Sequence, residues 1–134
     1  MRFSYSKGYK YQLKSTYMVH TVIKPKDMVA NRFTTLYRSG LLFIVRGYAW
    51  DGPSGPAIDT PSFMQASLVH DALYQLMREG LIDINYRKDA DLLLYKIARA
   101  DGMWYLRALW TYWAVRRFAK SAITNKKKII KVGT

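Results

Sequence analysis

Along this chain the spacing of apolar positions shifts from a strand-like to a helix-like period. From Tyr9 to Ile23 apolar and polar residues alternate imperfectly in a stretch rich in Tyr, Thr and Val, which predicts one or two short strands. Phe33-Thr34-Thr35-Leu36-Tyr37, the turn pair Ser39-Gly40 and Leu41-Leu42-Phe43-Ile44-Val45 predict a β-hairpin. Trp50 to Pro61 carries two Gly, three Pro, two Asp and a Ser, the composition of an ordered loop. Beyond it the period becomes helical. Ser62 to Glu79 places apolar residues at Phe63, Ala66, Leu73 and Met77 and stops at Gly80, a suitable C-terminal cap. A second helix is expected over Asn85 to Ala100, with Asp83 as N-cap and Gly102 just past its end. A third, over Met103 to Ala119, is unusually aromatic: Trp104, Tyr105, Trp110, Tyr112, Trp113 and Phe118. Core packing is the ordinary role of such residues and an interface the other.

These elements predict an α+β fold: N-terminal antiparallel β-hairpins, then a Gly/Pro loop and a three-helix C-terminal part. At 134 residues, with half of them hydrophobic and no repeat or low-complexity linker, the expectation is one domain. Its parts are a β-rich segment 1–49, the loop 50–61, a helical segment 62–124 and a basic, exposed tail 125–134.

Composition narrows the chemistry. Cysteine is absent, which excludes a disulfide framework, thiol catalysis and cysteine-ligated metal. No charge-free stretch approaches the roughly 20 apolar residues that a membrane-spanning helix needs. The first residues, Met1-Arg2-Phe3-Ser4-Tyr5-Ser6-Lys7, lack an apolar core, so a secretion signal is not expected and a soluble protein made in the cytoplasm is.

The net charge is +13, and it is unevenly spread. Residues 1–50 hold nine basic groups and one acid, and residues 102–134 hold eight basic groups and none. Residues 51–101 hold five basic groups and eight acids. The basic ends suit an anionic surface, phospholipid or nucleic acid. A concentration of carboxylates in the middle suits a cation site or acid–base chemistry.

Within that acidic third, Val69-His70-Asp71-Ala72-Leu73-Tyr74 lies near the middle of the first predicted helix. His70 and Tyr74 are four residues apart and share a face, whereas His70 and Asp71 point about 100° apart. The turn between the first two helices centres near residues 80 and 81, so His70 lies about ten residues before it and Asp91 about ten after. At about 1.5 Å rise per residue, an antiparallel pair brings those two side chains level. A carboxylate there can hold the tautomer of the imidazole and make His70 a directed general base. Asp71 is then left to meet the Trp50–Gly55 loop, where an acid and turn carbonyls form the hard-oxygen set that calcium prefers. The alternatives are a solvent-facing Asp91 beside Arg87 and Lys88, and an Asx turn at Asp51.

The combination of Trp50-Asp51-Gly52-Pro53-Ser54-Gly55-Pro56, His70-Asp71-Ala72-Leu73-Tyr74 and Ala90-Asp91 resembles the phospholipase A2 superfamily over about residues 48–101. The His-to-Asp interval of 21 is similar to that of its compact bacterial, fungal and parvoviral members. The loop and the Val69–Tyr74 helix also resemble a family of small phage and prophage proteins, over most of the chain. The phospholipase resemblance implies calcium held by Asp71 and by carbonyls around Trp50, Gly52 and Ser54, with Asp51 as an extra ligand. It also implies His70 as the base that activates water, Asp91 fixing His70, and Tyr74 hydrogen-bonded to Asp91. An anionic phospholipid surface, met by the basic ends with Trp104 or Trp110, is the implied partner. The phage resemblance implies a place in the host cytoplasm or in a virion, among virion components. Ala66, Ser67 and Leu73 stand where secreted phospholipases usually carry cysteines on this helix, and Pro53 and Ser54 where the loop pattern favours glycine.

Two other classes compete. His20, His70, Asp71 and Asp91 occur in the order used by helical metal phosphohydrolases, although His20 lies in a strand-like segment. A catalytically silent phage assembly protein, or a nucleic-acid-binding protein, would use the same scaffold and its basic ends.

Overall fold

The structure, a computed structural model, describes residues 5–6, 11–50 and 61–117. The expectations for the loop at 51–60, for the last residues of the third helix and for the basic tail lie outside the described residues. The chain forms two compact units, Met1–Asp59 and Thr60–Thr134. Antiparallel strands build the first and helices the second, as the α+β expectation requires.

The first unit contains β1 (Tyr5–Ser6), β2 (Tyr11–Leu13), β3 (Tyr17–His20), β4 (Val29–Ala30), β5 (Thr34–Leu36), β6 (Leu41–Ile44) and β7 (Ala49–Trp50). They form a three-stranded sheet in the order β1-β2-β7 and a four-stranded sheet in the order β3-β6-β5-β4. The segment with imperfect alternation supplies β2 and β3, and the predicted hairpin is β5–β6, with Leu36 opposite Leu42. Alternation decides what is buried. Along β6, Leu42 and Ile44 are buried while Leu41 and Phe43 are only half-buried. Among the described residues, Tyr11, Leu13, Tyr17, Ile23, Leu36, Tyr48 and Trp50 complete the buried apolar set of this unit. Trp50, expected to open the loop, instead pairs in β7 opposite Tyr11, and its ring lies 5.8 Å from that of Tyr11 and 6.4 Å from that of Tyr48.

The β5–β6 turn is a three-residue loop closed by Tyr37 N–H donating to Leu41 O (2.9 Å) and Gly40 N–H to Tyr37 O (2.9 Å). Gly40 has φ +94°, the backbone that this loop demands of its last residue. Thr21 donates to the Gly40 carbonyl through both its N–H (2.8 Å) and its hydroxyl (2.8 Å), which extends the β3–β6 ladder past the end of the strand. A Cβ on residue 40 would lie 2.2 Å from the Thr21 carbonyl oxygen.

The second unit contains α1 (Pro61–Arg78), a 3₁₀ turn (Ile84–Tyr86), α2 (Arg87–Ala100) and α3, described over residues 105–117. Helix α1 is buried on almost every side: beyond the expected Phe63, Ala66, Leu73 and Met77, it buries Met64, Leu68, Val69, Ala72 and Leu76. The C-terminal ends of α1 and α2 are set locally. Gly80 (φ +74°) ends α1 and Gly102 (φ +102°) ends α2. Each does so with paired bonds, Leu81 N–H to Leu76 O (2.9 Å) with Gly80 N–H to Met77 O (3.0 Å), and Met103 N–H to Ala98 O (2.9 Å) with Gly102 N–H to Arg99 O (3.1 Å). A glycine closing the last turn this way satisfies the orphan carbonyls. Asp83 caps the 3₁₀ turn by accepting from Asn85 N–H at 2.8 Å, so α2 proper begins at Arg87, two residues later than expected. No helix among the described residues is long and apolar enough to cross a membrane.

Helix α3 departs from the usual role of aromatic residues. Met103 and, within the helix, Ala108 and Thr111 are buried, whereas Trp104 (67%), Tyr105, Leu106, Trp110 and Trp113 (62%) are exposed. Small residues face inward, and most of the aromatic bulk is turned outward.

Substituting Gly40 tests the hairpin. Forcing a side chain into this φ costs about 1–3 kcal/mol, and the collision with Thr21 adds to it. Gly40→Ala is expected to lower the urea-unfolding free energy by at least that amount; a change below about 0.5 kcal/mol, the size of a neutral surface substitution, would contradict the turn geometry.

Candidate active site

Helices α1 and α2 run antiparallel through the Gly80–Leu81 turn, and they bring His70 level with Asp91. His70 Nε2 and Asp91 Oδ1 are 2.7 Å apart. Tyr74, one turn on from His70, donates its hydroxyl to the same oxygen at 2.6 Å, and its ring lies 4.1 Å from the imidazole. The expected trio of His70, Asp91 and Tyr74 is therefore assembled. Asp91 has no solvent exposure at all, which removes the alternative that it faces solvent beside Arg87 and Lys88.

Burial of a carboxylate demands partners on both oxygens. The second oxygen is served by residues that sequence reasoning missed. Arg116, from α3, donates to Asp91 Oδ2 at 3.0 Å. Arg87, one turn before Asp91 on α2, brings its guanidinium to 3.6 Å from Oδ2, and it donates to the carbonyls of Arg116 (3.1 Å) and Val115 (3.5 Å). The i, i+4 spacing of Arg87 and Asp91 was a readable signal; Arg116 has none, because nothing local says which face of α3 meets α2.

Burial disfavours the charged forms of both groups, yet the network outweighs it. Burial alone would push Asp91 upward, but hydrogen bonds and charge from His70, then Tyr74 and Arg116, hold its carboxyl below the ordinary carboxylate range. Burial alone would lower His70, but Asp71 and Asp91 raise the imidazole above its ordinary 6.5. Burial, then the Asp91 charge, pushes the Tyr74 hydroxyl far upward, so it remains a donor.

Asp71 lies on the other edge of the ring, with Oδ1 3.9 Å from His70 Nδ1. That is too long for a hydrogen bond, so its carboxylate acts on the ring as a nearby negative charge. The 100° step between neighbouring helical residues suggested separate faces; the side chains nevertheless converge on the same imidazole, and Asp71 is partly exposed (33%). As a hard-oxygen donor beside the dyad it fits a calcium ligand. Of the other expected metal ligands, Trp50 belongs to the first unit, while Asp51, Gly52 and Ser54 lie outside the described residues. Among the described residues, no group of three or more acidic or histidine side chains is arranged to hold a metal. His20, the other histidine of the phosphohydrolase alternative, lies exposed on β3 of the first unit.

Among the described residues, three further carboxylates of the acidic third lie at helix ends: Asp83 caps the 3₁₀ turn, Asp89 sits in the first turn of α2 and Asp101 follows its last. Compared with protein-family models, curated proteins and solved structures, the chain matches none of them.

Removing one partner from a buried ion network costs about 3–5 kcal/mol, and Asp91→Ala is expected to lose that much in urea unfolding. The pH dependence has a defined sign. The Asp91 contribution is present above its unfolded pKa of about 4 and lost as pH falls through its lowered folded value. The His70 contribution is complete below about 6.5 and lost as pH rises through its raised value. The difference between wild type and Asp91→Ala should thus be largest between about pH 4 and 6.5; a difference that is flat with pH would contradict the network.

Proposed function

We propose that this chain is a phospholipase A2-like, calcium-dependent hydrolase of phospholipid esters. The observation that carries the reading is the buried 2.7 Å contact between His70 Nε2 and Asp91 Oδ1, with Nδ1 on the opposite edge of the ring. A neutral imidazole that donates Nε2–H to Asp91 keeps a lone pair on Nδ1. Nδ1 can then take a proton from water as the water oxygen attacks the ester carbonyl carbon. When the tetrahedral centre collapses, the ester C–O bond breaks and His70 returns the proton to the leaving alkoxide. Water is the nucleophile, so no acyl-enzyme forms.

Asp91 supports this by fixing the tautomer and by stabilising the imidazolium while the proton resides on the ring. Tyr74 donates to the same oxygen as His70 and so helps to keep that buried oxygen ionised. The partly exposed Asp71 carboxylate beside the ring is the calcium ligand that this reading calls for, and calcium when bound would supply positive charge for the developing oxyanion and the lipid phosphate. An anionic phospholipid surface is the partner that this reading requires. The exposed Trp104, Trp110 and Trp113 suit the interface, and residues 102–134 carry eight basic groups and no acid.

Fatty-acid release from mixed anionic phospholipid vesicles, with and without millimolar calcium, tests the reading. A general base contributes about 10²–10⁴-fold, so His70→Asn should lose at least 100-fold in rate while remaining folded. Because His70 is raised above 6.5, kcat/KM should climb with pH and level off only above that value. Absence of release by the wild-type protein, or equal release by His70→Asn, would overturn the reading. Asp71→Asn should weaken the response to calcium; an unchanged calcium titration would remove Asp71 as a ligand.

A further inference from the structure

Resting on that hydrolase reading, we propose that Arg116 is a positioning residue for the reaction, delivered to the dyad by α3. Asp91 presents two oxygens, and the two that bear on His70 are not equivalent. Oδ1 takes both His70 and Tyr74, at 2.7 and 2.6 Å. Oδ2 takes Arg116 at 3.0 Å and, among the described residues, has no other donor at that distance. A carboxylate torsion is broad and roughly two-fold, so donors on a single oxygen leave the group free to swing. Fixing Oδ2 fixes the plane of the carboxylate, and the plane aims Oδ1 at Nε2.

Arg87 does not duplicate this function. Its nearest nitrogen is 3.6 Å from Oδ2, beyond hydrogen-bond reach, and that same nitrogen donates to the carbonyls of Val115 and Arg116. Arg87 thus fastens to α2 the backbone that carries Arg116, and Arg116 closes the circuit onto Asp91. The chain of contacts runs from α2 through α3 to the carboxylate and then to the imidazole on α1. Helix α3 thus bears on the ring's orientation through the carboxylate. Lysine keeps the charge of arginine but loses the planar fork, so the two components separate by substitution.

The test compares wild type with Arg116→Ala, Arg116→Lys and Arg116→Gln on phospholipid vesicles, and follows the His70 Nε2 proton by NMR without lipid. Loss of an orienting partner usually costs about 10- to 100-fold. Arg116→Ala should therefore lose that much in kcat with KM within about twofold, Arg116→Lys should recover part of it, and added guanidinium should rescue the alanine variant. In the wild type the ring proton should appear as a protected downfield resonance; it should be lost or move upfield in Arg116→Ala while the rest of the spectrum persists. If Arg116→Ala fails to fold, Arg116→Gln, which retains amide donors, carries the same two readouts. An unmoved ring proton, or an unchanged kcat in a wild type that turns over, would overturn the role of Arg116. A wild type without turnover whose ring proton still depends on Arg116 would sustain the positioning role and refute the hydrolase reading instead.

Discussion

A single carboxylate with no access to water organises the helical unit. Leaving Asp91 ionised in that position without partners would cost several kcal/mol, and the three helices each contribute to avoiding it. Helix α1 brings His70 and Tyr74 to one oxygen, α3 brings Arg116 to the other, and Arg87 of α2 supplies a second positive charge nearby. Hydrophobic packing alone would tolerate sliding of one helix past another; this hub does not, because each donor reaches a named oxygen. A buried ion pair adds little net stability over an apolar core of the same volume. Its value here is register: it fixes His70 and Asp91 against each other.

The rest of the unit fits around that constraint. Helix α1 is enclosed almost completely, and His70 is buried with it. Glycines at 80 and 102 end α1 and α2 sharply, and the turn at Gly80 is the one that sets how many residues separate His70 and Asp91 from it. Helix α3 turns small residues inward and aromatic ones outward, combining a role in the interior, through Arg116, with an apolar outer face. The carboxylates concentrated in the middle of the sequence divide accordingly. Asp71 and Asp91 flank one imidazole, while Asp83, Asp89 and Asp101 are placed by the ends of helices.

How much of this was legible depended on whether the signal was local. The His70, Tyr74 and Asp91 trio followed from helix geometry and from counting residues on either side of a glycine-marked turn. The β5–β6 hairpin followed from Ser39-Gly40 between apolar runs. Strands of two residues, such as β4 and β7, are too short to show a period, and so Trp50 read as loop although it pairs with Tyr11. The direction in which α3 faces was not legible either. Its aromatic residues surround the helix axis in sequence, and only the packing space decides that Ala108 and Thr111 go inward. Arg116 was hidden for the same reason, since its partner lies 25 residues away on another helix.

The arrangement requires that Asp91 hold the Nε2 proton of His70 and leave Nδ1 bare. Nitrogen-15 NMR of the histidine-labelled protein, above the pH at which His70 titrates, reads this directly, with exposed His20 as an internal reference. The expected result is one fixed tautomer at His70, with a protonated, slowly exchanging Nε2 and an unprotonated Nδ1, beside a rapidly exchanging His20. A proton on Nδ1 of His70, or fast exchange at both of its ring nitrogens, would contradict it.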